Sequence, residues 1–445
     1  MMRLPILLMM TMVFATQLKA APVDEPLTLE QAISIALESN RTVNNARLDV
    51  DKAQSQVSAN KTHRLPSFNS YVLGSRQLSH IDLKFERGAL GTLDGTPIPT
   101  EDTTIRSPGR FSALIINDVS QPISQLHRIN LGIKQAKLST EIAAEELRHQ
   151  QHTIVANVKS AYYALLQTQS SLRVAEQNIR LYRELDRITE QYVLQRVSLK
   201  SDSLDVKTRL AKNELDVLSL QDSLATEKEQ LNALLGRDLQ TAFSVDEVPP
   251  ADLVSMDLTR AQAMALSQRP EIRQAKLKVD QAEVDRRSKR AEYIPDVSLN
   301  FSHTSPVNYS DVLPRHITTL GISVSWEVFD WGRKKHELAS KDASIAQAAN
   351  SLSEVESQVL REVNSNYRKL QRSAQTLRVA VLQQQTAAET LRVATDNYKV
   401  NAALLKDVLQ SESSMAQADD QYQQALLSFW TAKSEFDKSL GEDHD

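Results

Sequence analysis

The sequence contains no cysteine and few residues that interrupt helices. The absence of cysteine excludes disulfides, thiolate metal sites, cysteine catalysis and a lipid carried on an N-terminal cysteine. The 10 glycines and 14 prolines among 445 residues amount to about 5% of the chain, whereas average usage is about 12%. Few turns are therefore expected, and the secondary-structure elements should be long. Aromatic residues make up 5% and charged residues 24%, a balance that favours long helices with narrow apolar seams.

Other absences narrow the function. The net charge is -4 with both signs interspersed, and there is no basic stripe of the kind that binds nucleic acid. No nucleophile elbow, P-loop or metalloprotease motif occurs. His149-x-x-His152 offers two histidines without a third ligand, which is a weak metal signal. The sequence therefore predicts no enzyme, no cofactor, no metal site and no nucleic-acid partner.

The N-terminus has the pattern of an export signal. Arg3 is followed by an apolar stretch from Leu4 to Phe14, and Leu18-Lys19-Ala20 forms a cleavage site. The alternative is a short membrane anchor, but the stretch is too short to span a bilayer. Residues 1–20 are thus predicted to be a signal peptide. No other apolar run reaches about 18 residues, so the mature protein is expected to be periplasmic or to span a membrane as a β-barrel.

The mature chain contains an internal repeat. At an offset of 229 residues, Leu29 corresponds to Leu258 and Pro66 to Pro295 without a gap. Further along, the offset becomes 205, so the first repeat contains 24 additional residues (229 against 205). We predict a first repeat over residues 21–240, a linker over 241–255 and a second repeat over 256–445. The additional residues lie between Gly74 and Arg110, where half of all glycines occur, a composition typical of an exposed loop.

Each repeat is predicted to contain a β-hairpin, over about 67–123 and about 296–329. In the second hairpin the apolar residues alternate with polar ones, which is the period of a strand with two different faces; they are Leu320, Ile322, Val324, Trp326 and Val328. Ten residues are enough for a tilted membrane strand whose apolar face meets lipid. A half-buried strand of a soluble sheet fits the alternation equally well. In the first hairpin the pattern from Phe111 to Ile123 is interrupted at Asn117-Asp118.

Helices account for the rest of each repeat. An opening helix is predicted from Leu29 to about Arg64, where Leu65-Pro66 ends it. A second, very long helix carries apolar and small residues at alternating steps of four and three from Val363 to Tyr398, which is the seam of a coiled coil. A returning helix follows from about Leu405 to Leu440, and the corresponding return in the first repeat runs from Ser203 to Leu235-Gly236. A glycine after each return is a typical C-cap.

This order of elements, with three specific strings, resembles the TolC-like outer-membrane efflux family. The strings run from Leu27 to Asn40 and from Ser325 to Gly332, and Tyr398 occurs with Asp407-Val408-Leu409. The resemblance covers about Leu27 to Gly441. It implies a mainly α fold with membrane β structure: a homotrimer whose four strands per chain form a twelve-stranded β-barrel, continued by a long α-helical coiled-coil barrel. It also implies an outer-membrane location, and a passive exit duct served by a periplasmic adaptor and an inner-membrane pump.

The resemblance also implies a narrow periplasmic mouth at the helix tips. Asp407 and Tyr398 match the acidic and tyrosine positions of the family's aperture, and Asp202 and Tyr192 correspond to them in the first repeat. Capping of the returning helix is an equally good interpretation of both aspartates. The sequence departs from the family's pattern at three positions: Asn401 stands where the family often has glycine, Ala403 where some members have an arginine that locks the mouth, and Gln410 where some have a second aspartate.

A different class of protein remains open at this point. A periplasmic coiled-coil adaptor or scaffold without a pore would also be exported and rich in long helices. Such an adaptor would contain one helical hairpin flanked by glycine-rich soluble β domains. The pair of strands in each repeat favours the exit duct.

Overall fold

The computed structural model describes residues 26–76, 78, 82–106, 111–196, 199–246, 248, 257–308, 314–400, 402–403 and 405–442. The predicted signal peptide, Asn401 and part of the predicted linker lie outside these residues. The described helices are α1 (Leu29–Ser39), α2 (Arg41–Thr62), α3 (Leu126–Leu194), α4 (Lys200–Leu234), α5 (Leu258–Gln268), α6 (Pro270–Ala291), α7 (Arg333–Lys399) and α8 (Leu405–Leu440). None of the described helices is apolar over a length that would cross a membrane.

The long helices and their returns follow the predicted boundaries closely. α3 contains 69 residues and α7 contains 67, each without interruption. Five residues separate α3 from α4, and five separate α7 from α8. Leu194 and Lys399, the last residues of the two long helices, are 205 positions apart, which is the offset found in the sequence.

The opening helix was predicted to be continuous, and this prediction was wrong. Asn40 separates α1 from α2, and Arg269 separates α5 from α6; both adopt an extended backbone, with ψ of 130° and 125°. Pro270 enforces the break after Arg269, because proline disfavours a helical conformation in the residue before it. In α1 and α2 no proline signals the break, but the Asn40 side chain donates to the Leu234 carbonyl at 2.8 Å, a contact made by tertiary structure.

The predicted glycine C-caps are present. Gly236 and Gly441 adopt positive φ angles of 70° and 78°, a conformation that residues with a Cβ rarely adopt. A Cβ on Gly236 would lie 2.4 Å from the Ser39 carbonyl oxygen. Gly236 therefore ends α4 and, because it has no side chain, leaves room for the backbone at the α1–α2 break. Gly441 ends α8 and leaves room in the same way at the α5–α6 break.

The main sheet has four antiparallel strands in the order β1-β6-β7-β8. The described strands are β1 (Ser67–Arg76), β2 (Asp82–Phe85), β3 (Thr92–Leu93), β4 (Thr96–Pro97), β5 (Thr103–Arg106), β6 (Phe111–Pro122), β7 (Asp296–Val307) and β8 (Ile317–Ser325). The segment from Gly74 to Arg110, predicted to be a loop, contains the short pairs β2–β5 and β3–β4. β6 is continuous through Asn117-Asp118, because both residues pair with β1 on one side and β7 on the other.

The described chain divides into two compact units. One comprises the described parts of Met1–Asn40, Asn157–Leu253 and Ser373–Thr431; the other, which contains the sheet, comprises those of Arg41–Ala156, Val254–Arg372 and Ala432–Asp445. In the first unit, Tyr162, Leu165 and Leu231 are fully buried. In the second, a core cluster forms from Ala261, Ala265, Ile272, Val359, Val363, Phe436 and Leu440.

Candidate functional site

One face of the main sheet is an apolar surface near the helical ends of its strands. Leu320, Ile322 and Val324 of β8 are 72%, 70% and 64% exposed. Their partners on β7 are Phe301, Leu299 and Val297, and Val119 of β6 and Phe68 of β1 extend the row of Phe301 across the sheet. This apolar face, defined by these eight residues, has the composition of a surface that meets lipid.

The opposite face is polar at the same level. Ser323 lies on it, opposite Ser298, and accepts a hydrogen bond from the Asn300 amide at 2.7 Å. Asp118 and Ser302 pair with each other on this face, two rows above Ser298. A sheet that is apolar on one face and polar on the other separates two environments, as a strand lining an aqueous lumen does.

A row of polar side chains crosses the apolar side of the sheet above Leu320. Ser70, Asn117, His303 and Thr318 are cross-strand neighbours, one on each strand. The Ser70 hydroxyl donates to Asn117 at 2.8 Å, and His303 Nδ1 lies 2.8 Å from the Thr318 hydroxyl. The sequence did not reveal this row, because its members come from four distant strands; it limits the apolar face at its upper side.

The structure changes one part of the predicted lipid-facing strand. β8 ends at Ser325, so Trp326 and Val328 lie beyond the strand, although alternation predicted that it would continue through them. Both are exposed. After Ser325 the chain continues towards α7. The Asp330 carboxylate accepts hydrogen bonds from the Gly332 and Lys334 backbone amides at 3.0 and 2.9 Å, and these bonds satisfy amides at the start of the helix.

The two candidate aperture aspartates occupy the same position in their helices. Asp202 is the third residue of α4, and Asp407 is the third residue of α8. Both are exposed, and both lie where an acidic side chain interacts favourably with the positive end of the helix dipole. Asp202 is not the N-cap residue, which is Leu199; its carboxylate accepts the Leu199 backbone N–H at 3.1 Å, as the third residue of a capping box does.

The candidate tyrosines lie at the other side of the same two connections. Tyr192 is near the end of α3 and Tyr398 near the end of α7, and each is a little under half exposed. In the connection after α7, the Ala402 amide donates to the Asn397 carbonyl at 2.8 Å. Each tip thus places a tyrosine before the turn and an aspartate after it.

Sequence reasoning missed a charged cluster in the second unit. Arg269, at the α5–α6 break, donates to Glu271 through two nitrogens, at 3.0 and 2.8 Å, and to Glu362 at 2.8 Å. Its side chain is only 6% exposed. His149 Nδ1 lies 3.1 Å from Glu271. The only signal in the sequence was His149-x-x-His152, and among the described residues no group of three or more His, Cys, Asp or Glu side chains is arranged to hold a metal.

Comparison with known sequences decides the family. Residues 32–237 and 262–442 each match the profile of the outer membrane efflux protein family. The chain belongs to the outer membrane efflux protein family. The family consists of channels of the outer membrane rather than enzymes, and membership places this protein in that membrane.

The names of the relatives in the outer membrane efflux family refer to different functions. The chain is 22% identical to the alkaline protease secretion protein AprF of Pseudomonas aeruginosa over 68% of this chain and 64% of AprF, so it spans less than two thirds of that relative. It is 24% identical to the cobalt-zinc-cadmium resistance protein CzcC of Cupriavidus metallidurans, over 94% of this chain and 90% of CzcC.

The fold is that of solved outer-membrane channels. The structure of the Campylobacter jejuni CmeC outer membrane channel superposes with a TM-score of 0.72 over 93% of this chain and 85% of that chain, at 15% sequence identity. At this identity the likeness concerns the fold alone.

Proposed function

We propose that the protein is the exit duct of a tripartite efflux pump or type I secretion system, assembled as a homotrimer and extended into the periplasm by its helices. One observation carries the proposal: a four-stranded sheet with an apolar face, a polar face and two outer strands, β1 and β8, without a further partner among the described residues. Open strand edges are not tolerated in hydrocarbon. Three copies joined through β8 and β1 would make a closed barrel of twelve strands.

The helices support the same assembly. α4 has one seam of buried and half-buried positions, which includes Ser203 and Leu231. Leu204, Leu215 and Leu218 lie outside this seam and are 55–65% exposed. A second apolar seam on a long helix favours a further helical neighbour, and a helix of the next copy would supply it.

In this proposal substrates pass through without chemistry. The inner-membrane pump supplies the energy, a periplasmic adaptor joins the pump to the duct, and the apolar face contacts outer-membrane lipid. The names of the relatives range from protease secretion to cobalt, zinc and cadmium resistance. Residues 1–20 are removed as a signal peptide. A pore-less adaptor is disfavoured, because its soluble β domains have no need of an exposed apolar sheet face.

The test is cell fractionation followed by sizing in detergent and conductance measurement. We expect the full-length protein in the outer-membrane fraction, at the mass of three chains, with single-channel conductance in planar bilayers. Release as a soluble monomer by osmotic shock would overturn the proposal. A trimer without conductance would retain the assembly and reject the open duct.

A further inference from the structure

The segment that follows β8 presents aromatic side chains in a rigid arrangement. This segment, Trp326–Gly332, is called the aromatic strap. Trp331 is 88% exposed, and its ring packs edge-on against Phe329 with centroids 4.8 Å apart. An exposed pair of large aromatic rings is unusual on a surface without a partner.

The backbone of the aromatic strap is strained at its tip. Trp331 has a φ of 55°, a left-handed conformation that is strained for a bulky residue. Asp330 holds this conformation through its two hydrogen bonds to the Gly332 and Lys334 amides. Arg333 pairs with Glu327 within the segment and with Glu337 on α7. The strap is therefore preorganised, which lowers the cost of binding a partner.

A cavity of about 630 Å³ lies at the helical end of β1. Its lining combines apolar and polar residues, and it is formed by Thr62, His63, Leu65, Pro66, Ser67, Ser120, Pro122, Gln125, Arg128, Ile129 and Ser298. Two contacts beside the cavity connect the elements around it: the Gln121 amide donates to the Arg64 carbonyl at 3.0 Å, and Arg128 pairs with Asp296 at 3.0 Å.

The strap and the cavity are complementary in chemistry. The strap offers two exposed aromatic rings, and its carboxylates, Glu327 and Asp330, are engaged within their own chain by Arg333 and by backbone amides. The cavity is lined by two basic side chains, His63 and Arg128, and no acidic one. A guanidinium in reach of an indole face adds a cation–π attraction, and tryptophan and arginine are the side chains that most often dominate interfaces.

The two features also lie at the same level of the sheet, on its two outer edges. The strap begins directly after Ser325, the last residue of β8, and the cavity is at the first residue of β1. Ser298, in the cavity wall, pairs with Ser323 of β8. Antiparallel pairing of β8 with β1 of another copy would bring the helical ends of both strands together.

We infer that the aromatic strap of one copy seats Trp331 and Phe329 in the cavity at the start of β1 of the next copy, so that the interface between copies continues below the sheet. The inference rests on the proposed trimer. It assigns Trp331 to a protein interface rather than to the lipid interface.

Disulfide trapping tests the inference, because the natural chain has no cysteine. The double variant W331C/L65C should form covalent dimers and trimers on mild oxidation in outer membranes, visible as a ladder in non-reducing gels. The matched control is W331C/L48C. Leu48 has the same 63% exposure as Leu65 but lies about 21 Å further down α2, 14 residues before Thr62 at 1.5 Å per residue. The control should give no ladder.

A second variant separates the side chain from the strain. W331G fits the positive φ, so it removes the indole without straining the backbone. We expect the W331G trimer to dissociate about tenfold faster in detergent than the wild-type trimer. If the Trp331 indole made no contact with the next copy, its removal would leave the dissociation rate of the trimer unchanged. That result would overturn the inference.

The outcomes distinguish this inference from the proposed function. If the protein sizes as a trimer but W331C/L65C gives no ladder, or only an intrachain disulfide, the inference fails and the trimer stands. Strong quenching of Trp331 fluorescence by brominated phospholipids, in a W326F/W430F background, would place the indole in the bilayer and also overturn it. A monomer in detergent would refute both.

Discussion

His149 and Glu271 join α3 to α6 through a contact of 3.1 Å between Nδ1 and a carboxylate oxygen. The hydrogen bond to Glu271 raises the pKa of His149 above its usual value of 6.5, although burial opposes the shift. Burial favours the protonated form of Glu271, but the hydrogen bond from His149 and the charge of Arg269 outweigh it and lower the pKa to about 2. The pair is therefore ionic at mildly acidic pH.

We predict that this pair stabilises the protein more at low pH than at high pH. Because the pKa of His149 is raised in the folded state, its contribution is fully present below pH 6.5 and is lost as the pH rises through the folded pKa. Glu271 stays ionised throughout this range. H149Q should cost about 1 kcal/mol at pH 5.5 and almost nothing at pH 8.5, measured as the shift in melting temperature of the detergent-solubilised protein.

The control for the pH prediction is H127Q, which removes an exposed histidine and should shift the melting temperature equally little at both pH values. An H149Q shift that grows with pH would contradict the argument. E271Q should be more harmful than H149Q at either pH, because it also removes a carboxylate from the buried Arg269 side chain.

The two faces of β8 predict opposite responses to arginine. Val324 lies on the apolar face beside Val297, and V324R should destabilise the membrane-inserted protein by about 2–4 kcal/mol if the residue lies near the bilayer midplane. S323R, on the polar face, should be tolerated apart from the lost hydrogen bond with Asn300. The measurement is the yield of heat-modifiable oligomer in outer membranes; a loss for S323R with normal V324R would reverse our assignment of the faces.

The aspartates in the first turns of α4 and α8 predict that the mouth of the duct prefers cations. Three copies would bring three Asp407 side chains, and three Asp202 side chains, towards one axis, where carboxylates attract cations. D202N/D407N should lower cation selectivity in planar bilayers while the trimer remains intact. If selectivity is unchanged and only stability falls, by about 1 kcal/mol or less per helix, both residues act as caps alone.

Tyr162 predicts a stability loss from a single hydroxyl. This buried side chain lies 2.9 Å from the carbonyl oxygens of Leu27 and Asp246 and accepts the Asp246 amide at 2.9 Å. Y162F leaves buried backbone groups unpaired and should cost about 1–3 kcal/mol, measured by thermal or denaturant unfolding.

Tyr367, the corresponding residue of the second repeat, provides the control. It is half-buried and packs against Phe436 with ring centroids 5.9 Å apart. Y367F keeps this ring contact and should cost less than Y162F. Equal losses would indicate that ring packing, and not the hydroxyl, sets the cost at both positions.

Features with a local physical cause were predictable from the sequence alone. The seam from Val363 to Tyr398 predicted a helix that ends within a residue of Lys399. Gly236 and Gly441 were predicted as helix ends, since only a residue without a Cβ takes the left-handed conformation at little cost. The alternation at Leu320, Ile322 and Val324 predicted one face of β8, because side chains in a strand alternate with a period of two.

Tertiary structure decided the features whose partners are distant in the chain. The break at Asn40 depends on Leu234, the polar row depends on four strands, and Arg269 is buried through Glu271 and Glu362. β8 ends at Ser325 because its partner strand begins at the opposite residue, Asp296, which follows a proline without an N–H. Periodicity reports only on neighbours within a few turns, so it could not foresee contacts between segments distant in the chain, such as that of Asn40 with Leu234.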